Sequence, residues 1–452
     1  MREVVTIETP GLGDRSYLIH DGETAVVIDP QRDIDRMLQA AQAAGARISH
    51  VLETHIHNDY ITGGLALARA TGAAYIVAAA EEVGFSRAAA RDGDEITVGD
   101  LTLTVMVTPG HTPGHLSWVL REGPGDPVAV FTGGSMLFGA VGRTDLISPE
   151  QTEPLTRAQY RSVRRLADEL PDQVAVYPTH GFGSFCSATP TSGSSSTIGA
   201  ERRANVALNS DEDGFVKQLI AGLGAYPRYY AQMGPANRSG PAAPDLSPPR
   251  RADAGELRRR IDAGEWVVDL RQRRAFAGGH LTGSISVELG DPFATYLAWT
   301  IRWGTPLTLV AESPGQVAAA QLQLTRVGID RLEAAAAGTV GDLAGGRLSS
   351  YGVRDFAALA AAWGHDGQVV LDVRRPDEWH AGHLAGAVHI PFWDLEQRAG
   401  EVPPGEVWVH CASGFRAAIG ASLLHRAGRQ VVHIDDDWDR AAPLGLPVTA
   451  DD

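Results

Sequence analysis

Two segments in the C-terminal half of the chain are copies of one pattern. VVDLRQRRAFAGGHLTGSISV (267–287) matches VLDVRRPDEWHAGHLAGAVHI (370–390), and in each copy an aspartate stands 11 residues before the histidine of Gly-His-Leu. Each copy contains an apolar strand, a turn, a short helix and a second strand, and this alternation predicts a parallel sheet. The repeat unit, about 100 residues, has the size of a domain and is too long for a solenoid repeat. The second half of the chain is therefore predicted to be a duplicated α/β domain.

The first half is organised differently, and a proline-rich stretch separates the two halves. Amphipathic helices such as DIDRMLQAAQAAGA (33–46) and EPLTRAQYRSVRRLADEL (153–170) alternate with short strands, and CSATPTSGSSST (186–197) has the composition of a polar loop. Residues 235–249 contain five prolines, which favours a linker over a helix or a strand. We predict a domain at 1–234, a linker at 235–250, and the two copies at 251–345 and 346–452.

The composition argues against several classes of partner. A net charge of −16 disfavours nucleic acids and anionic membranes, because both repel an acidic protein. No apolar run approaches the roughly 18 residues of a spanning helix, and the N-terminus lacks the apolar segment of a signal peptide. Two cysteines in 452 residues do not make a disulfide framework and suit a reducing compartment. We expect a cytoplasmic protein that binds neither nucleic acid nor membrane.

Histidines follow several strands of the first half. ETHIHNDYITGG (53–64) comes directly after the apolar run ISHVL, and its His55, His57 and Asp59 alternate, so that on an extended segment they point the same way. TPGHTPGH (108–115) places His111 after another strand, and YPTHGFGS (177–184) places His180 after a third. Imidazole is the commonest metal ligand among side chains, and strand ends hold it rigidly. The pattern predicts a metal site.

The order of these motifs resembles the metallo-β-lactamase family. HxHxD, GHTPGH, a Thr-Gly turn and a late histidine match its ligand order, and SYLI, VVIDP and GRTDL match as well, over about the first half of the chain. The resemblance implies a four-layer αββα sandwich with two metal positions. The last histidine of the family's HxHxDH motif is Tyr60 here, and its bridging aspartate is Gly134. Neither is a good ligand, because a phenol is neutral and glycine has no side chain.

The resemblance therefore implies one metal ion at most. The predicted ligands are His55, His57 and His111, and the remnants of a second position are Asp59 and His180. The cofactor is expected to be one Fe(II) or Zn(II) per chain, since three histidines suit zinc and iron usually adds a carboxylate. A site that has lost its metal is the other interpretation. If the site binds iron, restoring the carboxylate with Gly134→Asp should raise the iron occupancy.

A cysteine in the second copy stands where a strand meets a helix. VWVHCASGFRAAIGASLLHRAG (407–428) delivers Cys411 from an apolar strand, and a helix begins near Arg416. Backbone N–H groups of the turn, the positive end of the helix and Arg416 all stabilise an anionic sulfur. We predict Cys411 and Arg416 as catalytic residues, and a loop that cradles a persulfide, made of Ala412, Ser413, Gly414 and Phe415. The alternative is a buried structural cysteine.

This segment resembles the rhodanese family of sulfurtransferases. LDVRRPDEWHAGHLAGAVHIP matches the front half of that domain and CASGFRA its active loop, over about residues 365–450. The resemblance implies that four polar residues order the fold around the loop, namely Asp372, Arg374, Glu378 and His383. The first copy also resembles rhodanese, but Ala311 and Gln316 stand at the positions of the cysteine and the arginine. That copy is predicted to be structural, or to form a surface that guides the active copy.

The combined domains resemble fusions of persulfide dioxygenase with rhodanese. The predicted fold class is α/β, with an N-terminal metallo-β-lactamase αββα sandwich followed by two rhodanese-like α/β domains. The resemblance implies sulfane-sulfur metabolism on a low-molecular-weight thiol persulfide or thiosulfate, with weak dioxygenase activity because the carboxylate is missing, in a homo-oligomer. Two alternatives are a zinc-dependent thioester hydrolase with an accessory rhodanese, and a metal-free scaffold that carries a sulfurtransferase. Cys186, soon after His180, is interpreted as a thiol that borders the pocket or, in preference, as a loop thiol without a role.

Overall fold

The computed structural model describes residues 3–189, 191 and 193–450. The chain divides into two compact units, Met1–Pro244 with Thr325–Gly328, and Asp245–Leu324 with Ile329–Asp452. A chain of this length is expected to form several cores, and each unit has its own sheets and buried apolar clusters. None of the helices in the described part of the chain has the length and apolarity that crossing a lipid bilayer requires.

The first unit is built on two six-stranded sheets, whose strands follow chain order across each sheet. The first sheet contains β1 (Val4–Thr9), β2 (Asp14–His20), β3 (Thr24–Ile28), β4 (Arg47–Leu52), β5 (Ala74–Ala78) and β6 (Ala88–Ala90). The second contains β7 (Glu95–Val98), β8 (Leu101–Val107), β9 (Leu116–Glu122), β10 (Pro127–Gly133), β11 (Ala175–Pro178) and β12 (Ser196–Thr197). The helices are α1 (Asp35–Ala43), α2 (Gly64–Thr71), α3 (Pro149–Glu169), α4 (Ile198–Ala204), α5 (Glu212–Ala221) and α6 (Tyr230–Ser239).

Buried apolar side chains define four layers in the first unit. Leu52 of the first sheet and Trp118 of the second belong to one cluster, which lies between the sheets. Met37 of α1 packs in a cluster with strands of the first sheet, and Val163 of α3 packs in a cluster with strands of the second. Each sheet therefore has the other sheet on one face and helices on the other. The αββα sandwich that the sequence predicts is confirmed.

Helix α6 corrects the start of the predicted linker. The sequence predicts a linker from residue 235, whereas residues 235–239 continue the helix, with Pro235 inside it. Proline removes one helical hydrogen bond. The buried Asn237 offsets that loss, because its side-chain amide donates to two carbonyls of the 57–60 segment, both at 2.8 Å. Residues 240–250 contain no helix or strand.

The second unit contains two parallel sheets, one in each copy of the repeat. The first, in spatial order, consists of β15 (Ile285–Ser286), β13 (Trp266–Asp269), β16 (Leu307–Ala311) and β17 (Ala334–Ala337). The second consists of β19 (Gly352–Arg354), β24 (Val431–Ile434), β23 (Glu406–His410), β20 (Gln368–Asp372) and β22 (Val388–His389). Two short antiparallel pairs join β14 (His280–Leu281) to β18 (Leu348–Ser349) and β21 (His383–Leu384) to β25 (Val448–Thr449). The parallel sheets are as the sequence predicts.

Nine α-helices and two 3-10 helices complete the described part of the second unit. In the first copy they are α7 (Ala254–Asp262), α8 (Arg273–Gly278), α9 (Phe293–Thr300), α10 (Pro314–Arg326) and α11 (Val340–Ala344). In the second copy they are α12 (Phe356–Ala361), α13 (Pro376–Ala381), α14 (Leu395–Arg398) and α15 (Phe415–Arg426), with 3-10 helices at Ala399–Glu401 and Trp438–Arg440.

The same buried ion pair stands at the end of β13 in the first copy and at the end of β20 in the second. Arg271 donates to the carboxylate of Asp269 at 2.7 Å, and Arg374 donates to that of Asp372 at 2.6 Å. Both arginines also donate to the carbonyl of the glycine that precedes the repeated histidine. These contacts close the turn after the strand onto the start of the next strand. The repeat found in the sequence is thus a repeat of side-chain contacts.

The repeated histidines also make matching contacts. His280 stacks on Phe276 with ring centroids 4.0 Å apart, and His383 stacks on Trp379 at 3.6 Å. In each copy the histidine Nδ1 donates to the carbonyl of that aromatic residue, at 2.9 and 3.1 Å. These two histidines are therefore parts of the fold, in agreement with the ordering role that the sequence predicts for His383.

Candidate functional site

Polar side chains from both sheets of the first unit meet at one edge, where strands end. Each is 1% exposed or less. They are Asp14 at the start of β2, Asp29 after β3, His55, His57 and Asp59 after β4, His111 after β8, and His180 after β11. Burying so many ionisable groups is costly unless they pair with one another or bind an ion.

His111 has one engaged and one free ring nitrogen. Its Nδ1 donates to the carbonyl of Arg143 at 2.7 Å, so that Nε2 carries the lone pair. This Nε2 is buried without a hydrogen-bond partner. Burial lowers the pKa of His111 to about 3, and the ring is neutral at physiological pH. A neutral imidazole with a fixed, unpartnered nitrogen is the form that binds a metal ion.

His55 and His180 face each other through their Nε2 atoms, which are 3.2 Å apart. Thr54 donates to Asp29 at 2.7 Å, so its Oγ1 accepts from Nδ1 of His55 at 2.8 Å. Nδ1 of His180 donates to Asp14 at 2.8 Å. Burial opposes a charge on His180, but the carboxylates of Asp59 and Asp14 raise its pKa. In this arrangement a proton lies between the two Nε2 atoms, which is a position that a cation can take.

His57 is held differently from the other histidines. Its Nε2 lies 3.3 Å from both Oδ1 of Asp29 and Oε2 of Glu53. Burial lowers its pKa, but the two carboxylates outweigh this and raise it to about 9, so the ring carries a charge. Tyr60 stacks on His57 with centroids 4.3 Å apart, and its hydroxyl donates to the carbonyl of Asp29 at 3.4 Å. Burial raises the pKa of Tyr60, which therefore stays a neutral phenol.

Gly134 lies against the face of His111. A Cβ at this glycine would lie 2.2 Å from Cδ2 and 2.6 Å from Cγ of that ring. The amide of Gly134 donates to Nε2 of His115 at 2.9 Å, and Nδ1 of His115 faces Oγ1 of Thr108 at 3.0 Å. His115 is thus fully engaged in holding the turn. A side chain at Gly134 would have to displace His111, and this contact argues against the expectation that Gly134→Asp raises the iron occupancy.

Four groups of three side chains in the described part of the chain have ligand atoms within 4.8 Å of one another. The groups are His55 with His57 and His180, His111 with His180 and Cys186, Asp14 with Asp59 and His180, and Asp29 with Glu53 and His57. Three of the four contain His180. The structure thus brings His55 and His57 together with His180, and His111 with His180 and Cys186. His180, predicted as a remnant of a second position, lies at the centre.

The donor set fits a divalent cation. Beyond His111, both carboxylate oxygens of Asp59 and one of Asp14 are buried without a hydrogen-bond partner. Unpartnered buried acceptors of this kind are rare in proteins unless an ion or water binds them. The ligand set of His55, His57 and His111 stays a prediction, and His180 joins it as a candidate.

A cavity of about 620 Å³ lies next to these side chains. Its lining includes Asn58, which stands between His57 and Asp59, and Tyr230. Burial raises the pKa of Tyr230, so this phenol in the wall of the cavity stays neutral. The volume suits a small organic molecule.

The second candidate site lies in the second unit, at the carboxyl ends of β23 and β24. Cys411 follows β23 and is 1% exposed. The amide of Gly414 donates to Sγ of Cys411 at 3.2 Å, and α15 begins at Phe415. Gly414 has a φ of 90°, and its carbonyl accepts from Nε2 of His433 at 2.8 Å. The predicted loop therefore curls around the sulfur, with an N–H group and a helix N-terminus directed at it.

Arg416, in the first turn of α15, pairs with a carboxylate. Its two terminal nitrogens donate to the two carboxylate oxygens of Glu378, at 2.5 and 2.8 Å. Burial disfavours the guanidinium, but Glu378 and the nearby Cys411 raise the pKa of Arg416, which remains charged. The predicted cation is thus present, and the resemblance-based assignment of Glu378 to the loop's surroundings has a physical basis in this ion pair.

The first copy of the repeat contributes to the walls of this site. Tyr296 of α9 packs against Phe415 with ring centroids 5.5 Å apart. Burial raises the pKa of Tyr296, with the charges of Arg416 and Cys411 as further influences. The copy without a nucleophile therefore places an aromatic side chain against the sulfur loop of the copy that has one, and its role as a structural or a guiding domain stays a prediction.

Comparison with known proteins identifies the families of the two domains. The model of the metallo-beta-lactamase superfamily matches residues 10–180, and the model of the rhodanese-like domain matches residues 356–441. The mitochondrial persulfide dioxygenase ETHE1 of Homo sapiens is 32% identical over 210 residues, which are 45% of this chain and 74% of that protein. The chain belongs to the metallo-beta-lactamase superfamily. This superfamily member also carries a rhodanese-like domain at its C-terminal end.

Two further proteins resemble this metallo-beta-lactamase superfamily member. A hydroxyacylglutathione hydrolase of Maricaulis maris (strain MCS10) is 30% identical over 230 residues, covering 49% of this chain and 77% of that protein. The crystal structure of a metallo-beta-lactamase from Staphylococcus aureus subsp. aureus COL superposes with a TM-score of 0.66 at 28% identity, covering 75% of this chain and 99% of that one. That coverage extends past the N-terminal unit.

Three residues of the site in this metallo-beta-lactamase superfamily member were not predicted from the sequence as site residues. Asp14 is an isolated acid before the SYLI strand, and nothing in its spacing indicates its partner His180. Cys186, interpreted as a loop thiol without a role, is fully buried beside His111 and His180. Asp29, in the VVIDP motif, accepts hydrogen bonds that link the ends of β4 and β11. The match of VVIDP to the metallo-β-lactamase family was the one signal in the sequence that could have identified Asp29.

Proposed function

We propose that the C-terminal domain is a sulfurtransferase in which Cys411 carries sulfane sulfur as a persulfide. The observation that carries this proposal is the Gly414 amide, which donates to Sγ of Cys411 at the N-terminus of α15. An amide and a helix N-terminus stabilise a thiolate and also the terminal sulfur of a persulfide, because both are anions. The guanidinium of Arg416 adds a positive charge near the same point.

The transfer takes two displacements. The Cys411 thiolate attacks the sulfane sulfur of thiosulfate or of a low-molecular-weight persulfide, and the new S–S bond forms as the donor's S–S bond breaks. Sulfite or the carrier thiolate leaves with the bonding electron pair. An acceptor nucleophile then attacks the outer sulfur of the persulfide, and the Cys411 thiolate is the second leaving group.

Two cysteines make this proposal directly testable. Cys411→Ser should abolish transfer of sulfur from thiosulfate to cyanide, and Cys186→Ser should retain it. After thiosulfate treatment, intact-mass spectrometry should give one added sulfur atom per chain, and peptide mapping should locate it on Cys411. Added sulfur on Cys186, or full activity of Cys411→Ser, would refute the proposal.

For the N-terminal domain we propose a metal-dependent reaction of a low-molecular-weight thiol persulfide. The similarity to persulfide dioxygenase ETHE1 and the buried set of unpartnered nitrogen and oxygen atoms support this proposal. His55, His111 and His180 would hold the ion; bound iron supplies redox chemistry with dioxygen, and bound zinc supplies hydrolytic chemistry. The residues of the adjoining cavity would bind the carrier thiol. Its reaction and that of Cys411 use the same class of substrate.

Thioester hydrolysis is the second candidate for this domain, and the similarity to hydroxyacylglutathione hydrolase supports it. The absence of a side chain at Gly134 also favours it, since iron usually takes a carboxylate ligand. Anaerobically purified protein should be assayed for oxygen consumption with glutathione persulfide and for hydrolysis of a hydroxyacylglutathione. Only the first reaction supports the dioxygenase, and only the second supports the hydrolase. Loss of either activity in His111→Ala ties it to this site, and a metal-free protein inactive in both assays indicates a scaffold.

A further inference from the structure

Cys186 is part of the buried histidine cluster. Its side chain is 0% exposed, and its Sγ lies in a group with one ring nitrogen of His111 and one of His180, all within 4.8 Å of one another. Nδ1 of each histidine is engaged, with the carbonyl of Arg143 and with Asp14 respectively. Nε2 is therefore the ring nitrogen that each histidine can offer to a metal ion together with the sulfur.

Arg143, which follows β10 in the chain, links the backbone of Cys186 to the ring of His111. The amide of Arg143 donates to the carbonyl of Cys186 at 2.8 Å, and the carbonyl of Arg143 accepts from Nδ1 of His111 at 2.7 Å. The guanidinium of Arg143 also donates to the carbonyl of Phe185, at 3.1 Å, and pairs with Asp145. The segment that carries Cys186 is thus tied to the same residue that orients the His111 ring.

The surroundings of the sulfur contain acceptors without partners. Nε2 of His111 is buried and makes no hydrogen bond, and the buried carboxylate of Asp59 has an ion pair of 3.3 Å with Nδ1 of His180 but no hydrogen-bond partner. An isolated buried cysteine needs no such neighbours, since a thiol packs as a small apolar group. A thiolate bound to a cation would satisfy the histidine nitrogen and the sulfur together.

We propose that Cys186 is a metal ligand through Sγ, together with Nε2 of His111 and Nε2 of His180. This inference deepens the proposed metal-dependent function of the N-terminal domain and rests on it. The thiolate supplies the negative charge that a side chain at Gly134 does not. On binding, the thiol of Cys186 and Nε2 of His180 would each lose a proton to solvent, the two freed electron pairs would form the metal–sulfur and metal–nitrogen bonds, and the ion would give up the water molecules that these ligands replace.

The ligand set selects the class of ion. Thiolate with two imidazoles is a donor set of zinc sites and suits a borderline-soft divalent cation better than magnesium or calcium. Bonds of about 2.3 Å to sulfur and about 2.0–2.1 Å to nitrogen require ligand atoms about 3.4–3.6 Å apart in a tetrahedron. The three ligand atoms lie within 4.8 Å of one another, so they would have to move closer together to bind one ion.

The test uses cobalt as a spectroscopic probe. In Cys411→Ser protein, Cys186 is the only cysteine, and Co(II) at equimolar content should give a sulfur-to-cobalt charge-transfer absorption in the near ultraviolet. The band should also appear in the wild-type protein and disappear in Cys186→Ser. X-ray absorption of zinc-loaded Cys411→Ser should detect one sulfur at about 2.3 Å. This measurement keeps Cys186 intact and does not depend on the folding of a Cys186 variant.

The outcomes separate this inference from the proposed function. Stoichiometric Co(II) without the charge-transfer band, or a zinc environment without sulfur, overturns the Cys186 ligand and leaves a metal-dependent activity intact. A band that persists in Cys186→Ser also overturns it. If no divalent ion binds to the purified protein, both the ligand and the metal-dependent function are refuted.

Discussion

Nε of Arg273, in the first copy of the repeat, donates a 2.6 Å hydrogen bond to Oδ1 of Asp435, in the second copy. Asp435 follows β24 and lies against the sulfur loop, so closely that a Cβ on Gly414 would be 2.2 Å from Asp435 Oδ1. Arg274 pairs with the same carboxylate. The first copy, which lacks the cysteine, thus holds Asp435 in place, and the loop of Cys411 packs against Asp435.

Removing this ion pair should slow sulfur transfer. Arg273→Ala leaves Asp435 with one arginine, and we expect kcat/KM with thiosulfate to fall about threefold to thirtyfold, the worth of a charge-assisted hydrogen bond. The double variant Arg273→Ala, Arg274→Ala should fall further. Arg259→Ala removes an exposed arginine of the same copy and is the control. Equal rates for Arg273→Ala and Arg259→Ala would show that the first copy does not position the loop.

The pair of Glu378 and Arg416 should make stability depend on pH. Burial opposes ionisation of Glu378, but hydrogen bonds from Arg416 outweigh it and hold its pKa below the ordinary value. A carboxyl with a lowered folded-state pKa stabilises the fold above its unfolded pKa, about 4.3, and this stabilisation is lost as the pH falls through the folded value. Glu378→Gln should therefore cost about 1–3 kcal/mol near neutral pH and progressively less in acid.

Thermal unfolding of both proteins between about pH 7 and pH 3 measures this difference. Glu401→Gln is the matched control, because Glu401 pairs with Arg398 in the same domain while its side chain is 56% exposed. An exposed pair contributes little, so this variant should follow the wild type. A constant gap between Glu378→Gln and wild type across the pH range would contradict the prediction.

A carboxylate at position 134 should reduce metal binding. Any Cβ at Gly134 would lie 2.2 Å from the His111 ring, so Gly134→Asp has to displace a ligand in order to add one. We expect lower metal content by elemental analysis in both Gly134→Asp and Gly134→Ala. Gly125→Ala is the control, since a Cβ there meets nothing closer than 3.5 Å. Raised iron occupancy in Gly134→Asp would indicate that His111 can move without losing its role.

We expect at most one metal ion per chain, with His180 essential and Tyr60 dispensable. His180→Ala removes the residue common to three of the four ligand groups and should abolish tight binding. Tyr60→Phe removes a hydroxyl that donates at 3.4 Å to a carbonyl and should retain the ion. Elemental analysis of the two variants and the wild type tests this. Two tightly bound ions per wild-type chain would contradict the expectation.

The sequence predicted those features that depend on local pattern. Strand and helix periodicity placed His55, His111 and Cys411 at strand ends, and the repeat predicted matching parallel sheets. The periodicity of α1 and α3 likewise agrees with the structure. These predictions rest on residues that are close in the chain, for which spacing determines direction.

The features that it missed depend on contacts between distant residues. Pro235 lies in a helix because the buried Asn237 binds a segment about 180 residues earlier. Cys186 enters the histidine cluster because Arg143 holds its carbonyl, and the composition of the 186–197 loop gives no sign of that bond. Tertiary contacts of this kind override local preference, and a single sequence does not encode them in its spacing.

The close approach of His111 to Gly134 limits which side chains position 134 can accept. In the family that this chain resembles, that position holds an aspartate, which needs room for its side chain. Here the ring occupies the room, and the amide of the glycine is held by His115. Regaining the acid would require the imidazole to retreat first, and an imidazole that retreats leaves the neighbouring cluster incomplete. Gly134→Asp alone therefore does not restore the complete ligand set, because it adds the acid at the expense of the imidazole.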